Sequence, residues 1–146
     1  MKQRKKNKMI NVFLAIAVIT FLVVAIPIVI AYFDKSPDSI KDVISSCKNK
    51  DLEDSSKCVL NITKDFYKYN LENEGKKLDF QTLKDEGGVC SSWSEYYSDI
   101  GSGLGFNTKN VIIKTQDDLY HEFSVWSSEK GYCVLDQTEL MCVPLQ

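Results

Sequence analysis

Hydrophobic and polar positions divide this chain before any motif is sought. From Met9 to Phe33 the residues carry no charge, and only Asn11 and Thr20 are clearly polar. At about 1.5 Å per residue, a helix of that length crosses roughly 30 Å of hydrocarbon. A core helix of a soluble protein shows a polar stripe, and this run has none. Pro27 can kink such a helix, which membrane spans tolerate. Lys2, Arg4, Lys5, Lys6 and Lys8 precede the run and Asp34 follows it. The positive-inside asymmetry therefore predicts a cytoplasmic N-terminus and an extracytoplasmic remainder. The rival reading is a cleaved signal peptide, with Val29-Ile30-Ala31 as the cleavage site. The apolar run exceeds an ordinary signal core, which favours an uncleaved anchor.

Beyond Asp34 the period changes. Ser39 is placed to cap a helix through Ile40, Val43 and Ile44 to Cys47. A second helix is predicted from near Ser55-Ser56, with Val59, Ile62, Phe66 and Tyr69 recurring at three- and four-residue steps. Leu78 to Glu86 reads as a short connector. Gly87-Gly88 then opens a third helix, whose apolar face is Trp93, Tyr97, Ile100 and Leu104. The rest reads as strands. Val111-Ile112-Ile113 is a β-branched run, and Asp117-Asp118 marks a turn. From Leu119 to Trp126 the pattern alternates, with Leu119, His121, Phe123 and Val125 on one face. That apolar face is expected to carry His121 toward the helix packed on the sheet. Tyr132 to Asp136 and Leu140 to Val143 form a final hairpin.

The pattern divides the chain into a basic flank (1–8), a transmembrane helix (9–33), a juxtamembrane linker and helix (34–54) and a single small domain (55–146). All 20 acidic residues, but only 13 of the 18 basic ones, lie in 34–146, which therefore carries −7. That balance excludes a nucleic-acid binder.

An exported location permits disulfides, and five cysteines leave at least one unpaired if all bonding is internal. Cys47 and Cys58 flank a polar loop and could staple two helices at their turn. If Gln137-Thr138 is a two-residue hairpin turn, Asp136 faces Glu139, Leu135 faces Leu140 and Cys133 faces Cys142. Directly opposed positions can be bridged. Cys90 is left over. No Cys-x-x-Cys occurs and the chain has one histidine, so no metal site and no cofactor are expected. An inert buried thiol and an intermolecular disulfide are the other uses of Cys90. Asn61-Ile62-Thr63 fits the N-glycosylation sequon.

Cys90 in the first turn of a helix would meet unpaired N–H groups and a helix dipole that favour a thiolate. A thiolate nucleophile needs an adjacent base, for which imidazole is best suited, and the base needs an orienting acceptor. His121 and Asp136 can supply these roles from neighbouring strands, although an antiparallel pairing does not place them directly opposite.

At these residues the chain resembles a family. Phe80-Gln81-Thr82-Leu83-Lys84-Asp85-Glu86-Gly87-Gly88-Val89-Cys90 is similar to the nucleophile segment of transglutaminase-like cysteine enzymes. Gly103-Leu104-Gly105-Phe106 resembles the turn after the family's helix. His121-Glu122-Phe123-Ser124-Val125 resembles its histidine strand, and Gly131-Tyr132-Cys133-Val134-Leu135-Asp136-Gln137-Thr138 its aspartate strand. The resemblance covers roughly residues 55–140. It implies an α+β, papain-like/transglutaminase-like core with helices packed on a small antiparallel sheet. It also implies Cys90 as nucleophile, His121 as general base and acid, and Asp136 as its orienter. The Cys90 N–H and, by the same resemblance, Gln81 would hold the oxyanion. The activity implied is hydrolysis of peptide or isopeptide bonds in a protein or peptide substrate. Protein cross-linking, amidase action on cell-envelope material and a catalytically silent binding module are the alternatives. In the family a small residue and a tryptophan follow the histidine, where this chain has Glu122-Phe123.

Overall fold

The computed structural model describes residues 36–145, together with Ile19, Thr20, Phe21 and Val23, which are helical. The remainder of the predicted span over 9–33 lies outside the described residues. Among the described residues no helix is long and apolar enough to cross a membrane. The chain separates into two units, Met1–Ser36 and Pro37–Gln146, and the second holds every element that follows.

Helix α1, Ile40–Cys47, begins where Ser39 Oγ accepts from the Asp42 N–H. Helix α2 is Leu52–Lys64. It starts three residues earlier than the apolar period suggests, because the Asp51 side chain caps it through the Asp54 N–H at 2.9 Å. It also stops earlier. The Phe66 and Tyr67 N–H groups both bond to Thr63 O, and Phe66 leaves the helical path to pack against Phe80, Trp93 and Tyr96. A disulfide joins Cys47 to Cys58, with Cα atoms 5.7 Å apart. Val43, Cys47 and Val59 are buried in the core, so α1, expected ahead of the domain, packs as part of it.

The segment read as a connector is a helix, α3, Phe80–Glu86, capped by Asp79. Seven residues are too few for an amphipathic period to register. Gly87 ends α3 with φ 85, a left-handed value that costs glycine little. Helix α4, Cys90–Gly103, follows.

Four strands complete the unit: β1 Asn107–Lys114, β2 Tyr120–Ser128, β3 Gly131–Asp136 and β4 Glu139–Pro144. They form an antiparallel meander in the order β1-β2-β3-β4. The β3–β4 register sets Cys133 opposite Cys142, Leu135 opposite Leu140 and Asp136 opposite Glu139, as the alternation predicts. Cys133 and Cys142 are disulfide-bonded. The unit is α+β, with α4 packed chiefly on β2 and β1, and α2 on β3 and β4.

The facing of β2 differs from expectation. Trp126 and Ser124 are fully buried, whereas Phe123 and Val125 are only half-buried. Ser124 Oγ meets Ser98 Oγ of α4 at 2.8 Å, and Trp126 stacks on Phe106. The helix therefore covers the Ser124–Trp126 face, and not, as expected, the face that the unbroken β1–β2 register gives to His121, Phe123 and Val125. Hydrophobic alternation misleads here because the far face is apolar too: Val111 pairs with Phe123, and Val125 with Val134. Ser124, the fully buried serine of that face, is satisfied by Ser98, so its polarity costs little.

Candidate active site

Cys90 is the first residue of α4 and is half-buried with a free thiol. The N-cap is Val89, whose side chain makes no capping hydrogen bond. The first-turn N–H groups of α4 are thus left without a side-chain acceptor, and their dipole favours negative charge at Cys90. The turn ahead of Cys90 is strapped from outside. Gly88 N–H donates to Lys68 O, and Asn70 N–H donates to Gly88 O. The Asn70 and Asn73 side-chain amides donate to Glu86 O and Gly87 O at 3.0 and 2.8 Å. Trp93 Nε1, fully buried, donates to Lys68 O and Gly88 O. A side chain at Gly87 would collide with Lys68. Gly87 thus serves close passage of the 67–70 segment ahead of α4, whereas a side chain at Gly88 would meet Leu83 and Ser92.

His121 lies near the start of β2, and its Nε2 is 2.8 and 2.9 Å from the two carboxylate oxygens of Asp136. The last β2–β3 pair toward this end is Ser124 with Leu135. The imidazole therefore reaches the carboxylate diagonally, beyond the paired part of the ladder. The Nε2 contact leaves Nδ1 as the nitrogen available to a nucleophile. The side chains are 24% and 35% exposed, open enough for a substrate to approach.

The line of α4 brings Cys90 to the same end of the sheet. Ser98 touches Ser124, Gly101 lies against Trp126 and Thr108, and Tyr97 donates its hydroxyl to Gln137 O beside Asp136. Two turns before Ser98, Cys90 lies at the end of α4 away from Gly101, as His121 lies at the end of β2 away from Trp126. No hydrogen bond joins Cys90 to His121 in the structure. Tyr67 lies between the two sides: burial, helped by the nearby charges of Tyr69, Asp136 and Cys90, pushes its hydroxyl up to about 12. Burial also raises Tyr69, with Cys90 and Glu74 adding to the shift.

Other expected positions separate clearly. Gln81 is exposed on α3 and donates its amide to Asp85 Oδ2 at 2.8 Å. No hydrogen bond links it to Cys90. Asn61 is exposed in the middle of α2, and Thr63 of its sequon is fully buried with its hydroxyl on Val59 O. A sequon is more at home in a surface loop. Trp93 and Trp126 are both fully buried and belong to the core. Sequence reasoning missed Tyr67 and Gln137. Gln137 could have been found as the neighbour of Asp136, whereas Tyr67, 23 residues before Cys90, carries no local signal.

No family model matches the chain, and no curated protein matches it. Among solved structures, the fold is similar to the crystal structure of a TGase, with a TM-score of 0.51 and 16% identity. The match covers 68% of this chain and 30% of that chain, less than a third of that protein's length. The chain thus has a transglutaminase-like fold: helices on a four-stranded antiparallel sheet.

Proposed function

We propose that the chain is a membrane-anchored thiol enzyme that hydrolyses peptide or isopeptide amide bonds outside the cytoplasm. The observation that carries this reading is the His121 Nε2–Asp136 pair, beside a free thiol, Cys90, at the N-terminus of the helix that packs on the same sheet. Support for the location comes from the two disulfides, which persist in oxidising compartments. The apolar run over 9–33 and its basic flank support the anchor.

In this mechanism Asp136 holds the imidazole and stabilises its charged form. The Cys90 sulfur, having given its proton to His121 Nδ1, attacks the amide carbonyl carbon and forms a C–S bond. First-turn N–H groups of α4 stabilise the oxyanion. His121 returns the proton to the leaving nitrogen as the C–N bond breaks, which leaves a thioester on Cys90. Water, deprotonated by His121, attacks the thioester, releases the carboxylate and restores the thiol.

The test is incubation of the full chain, in detergent, with a peptide library made from digested proteins, read by mass spectrometry. The account expects new termini or hydrolysed side-chain amides that vanish in Cys90→Ala. Products that persist in Cys90→Ala, or a library unchanged by the wild type, contradict it.

A further inference from the structure

We propose that Gln137 and Tyr67 form a latch that positions Asp136 against His121, a role that rests on the Cys90–His121–Asp136 reading above. Gln137 follows Asp136 directly and opens the turn between β3 and β4. Its φ is 51, a left-handed value that is unfavourable for a residue with a side chain. Turn-tip side chains are ordinarily solvated, yet Gln137 is half-buried and held at two points. Its Oε1 accepts from the Tyr67 hydroxyl at 2.8 Å. Its main-chain oxygen accepts from the Tyr97 hydroxyl.

Both donors come from the side of the molecule that carries the thiol. Tyr97 lies on α4, seven residues after Cys90. Tyr67 leads into the strap that bonds to Gly88, and its ring packs on Trp93 with centroids 4.8 Å apart. One residue therefore ties the backbone beside Asp136 to both the helix and the strap that set Cys90. A carboxylate at the last strand position beside an untethered two-residue turn could swing by a few tenths of an ångström. Held this way, its two oxygens stay within hydrogen-bonding range of Nε2. The raised hydroxyl of Tyr67 keeps its proton, and so remains the donor, across the working pH range. Neither Tyr67 nor the Gln137 side chain bonds the imidazole, so both act through Asp136.

The experiment measures the rate of iodoacetamide alkylation at Cys90 in the full chain, from pH 5 to 9, with thermal midpoints recorded in parallel. Tyr67→Phe removes the donor. Gln137→Met removes the acceptor at similar size, and Gln137→Glu retains an acceptor oxygen. His121→Ala serves as reference. The latch predicts that Tyr67→Phe and Gln137→Met each slow alkylation at pH 7 by about two- to tenfold, the span of one hydrogen bond. It predicts a pH profile displaced upward in both, a double variant no slower than the slower single one, and recovery of the rate in Gln137→Glu. If Tyr67→Phe and Gln137→Met react at the wild-type rate while His121→Ala is slow, the latch is overturned and the enzyme reading stands. Multiplicative slowing in the double variant, or slowing that tracks only the thermal midpoint, also overturns it. If His121→Ala reacts as fast as the wild type, the enzyme reading fails and takes the latch with it.

Discussion

His121 Nε2 bonds both carboxylate oxygens of Asp136, at 2.8 and 2.9 Å, across a ladder in which the two residues are not paired. The contact occurs beyond Ser124–Leu135, the last pair of β2 with β3 at this end. Asp136→Asn keeps the shape and removes the charge that would stabilise an imidazolium. Cys90-dependent hydrolysis should fall roughly 100-fold or more in kcat/KM. The half-exposed pair contributes little to folding, so the thermal midpoint should move by no more than a few degrees. A kinetic assay beside a circular-dichroism melt checks both.

Close approach of α4 to the sheet depends on Gly101. A Cβ there would lie 2.6 Å from Thr108 Cγ2 and from Trp126 Cε2. Trp126 is fully buried and cannot yield. Gly101→Ala should destabilise the unit by about 1–3 kcal/mol through overpacking. Urea unfolding followed by tryptophan fluorescence is the measurement.

Burial of tyrosine hydroxyls sets an alkaline limit. Burial raises Tyr96 to about 12, with Thr63 pulling slightly back, and raises Tyr67 to about 12. Tyr97 is pushed higher still by burial. In the unfolded chain these groups ionise at about 10. A raised folded-state value means that the folded form holds the proton more tightly. The stabilisation is complete below about pH 10 and is lost as pH climbs toward about 12. The urea midpoint should decline across that window, and less steeply in Tyr96→Phe.

Removal of the β3–β4 disulfide should cost about 2–4 kcal/mol. The bond joins positions directly opposed in the hairpin that ends at Gln137. The double substitution Cys133→Ser with Cys142→Ser should lower the thermal midpoint, and a reducing agent should have no further effect through this pair.

The chain disclosed its local constraints well. The two cysteine pairs, the β3–β4 register and the start of α4 at Cys90 each depend on spacing over a dozen residues or fewer, where alternation and turn length leave few options. Long-range packing was not legible. The covered face of β2 does not follow from alternation, because Trp126 and Ser124 take it in place of Leu119, Phe123 and Val125. That outcome was decided by Gly101 and Ser98 on another element. Helix α3 is too short to show a period, and its local signs are the capping Asp79 and the Gly87 that ends it. Gln81, chosen by resemblance, is engaged by Asp85 within its own helix. Tyr67 reaches Gln137 over 70 residues of chain, and no local pattern announces such a contact.

The most direct measurement is alkylation of the full chain under non-reducing conditions, mapped by mass spectrometry and compared with His121→Ala. The account predicts modification at Cys90 alone in the folded protein, with the four other cysteines protected as Cys47–Cys58 and Cys133–Cys142, and a marked loss of rate in His121→Ala. An unreactive Cys90, or a Cys90 whose rate is indifferent to His121, would contradict a thiol–imidazole pair and with it the enzymatic role.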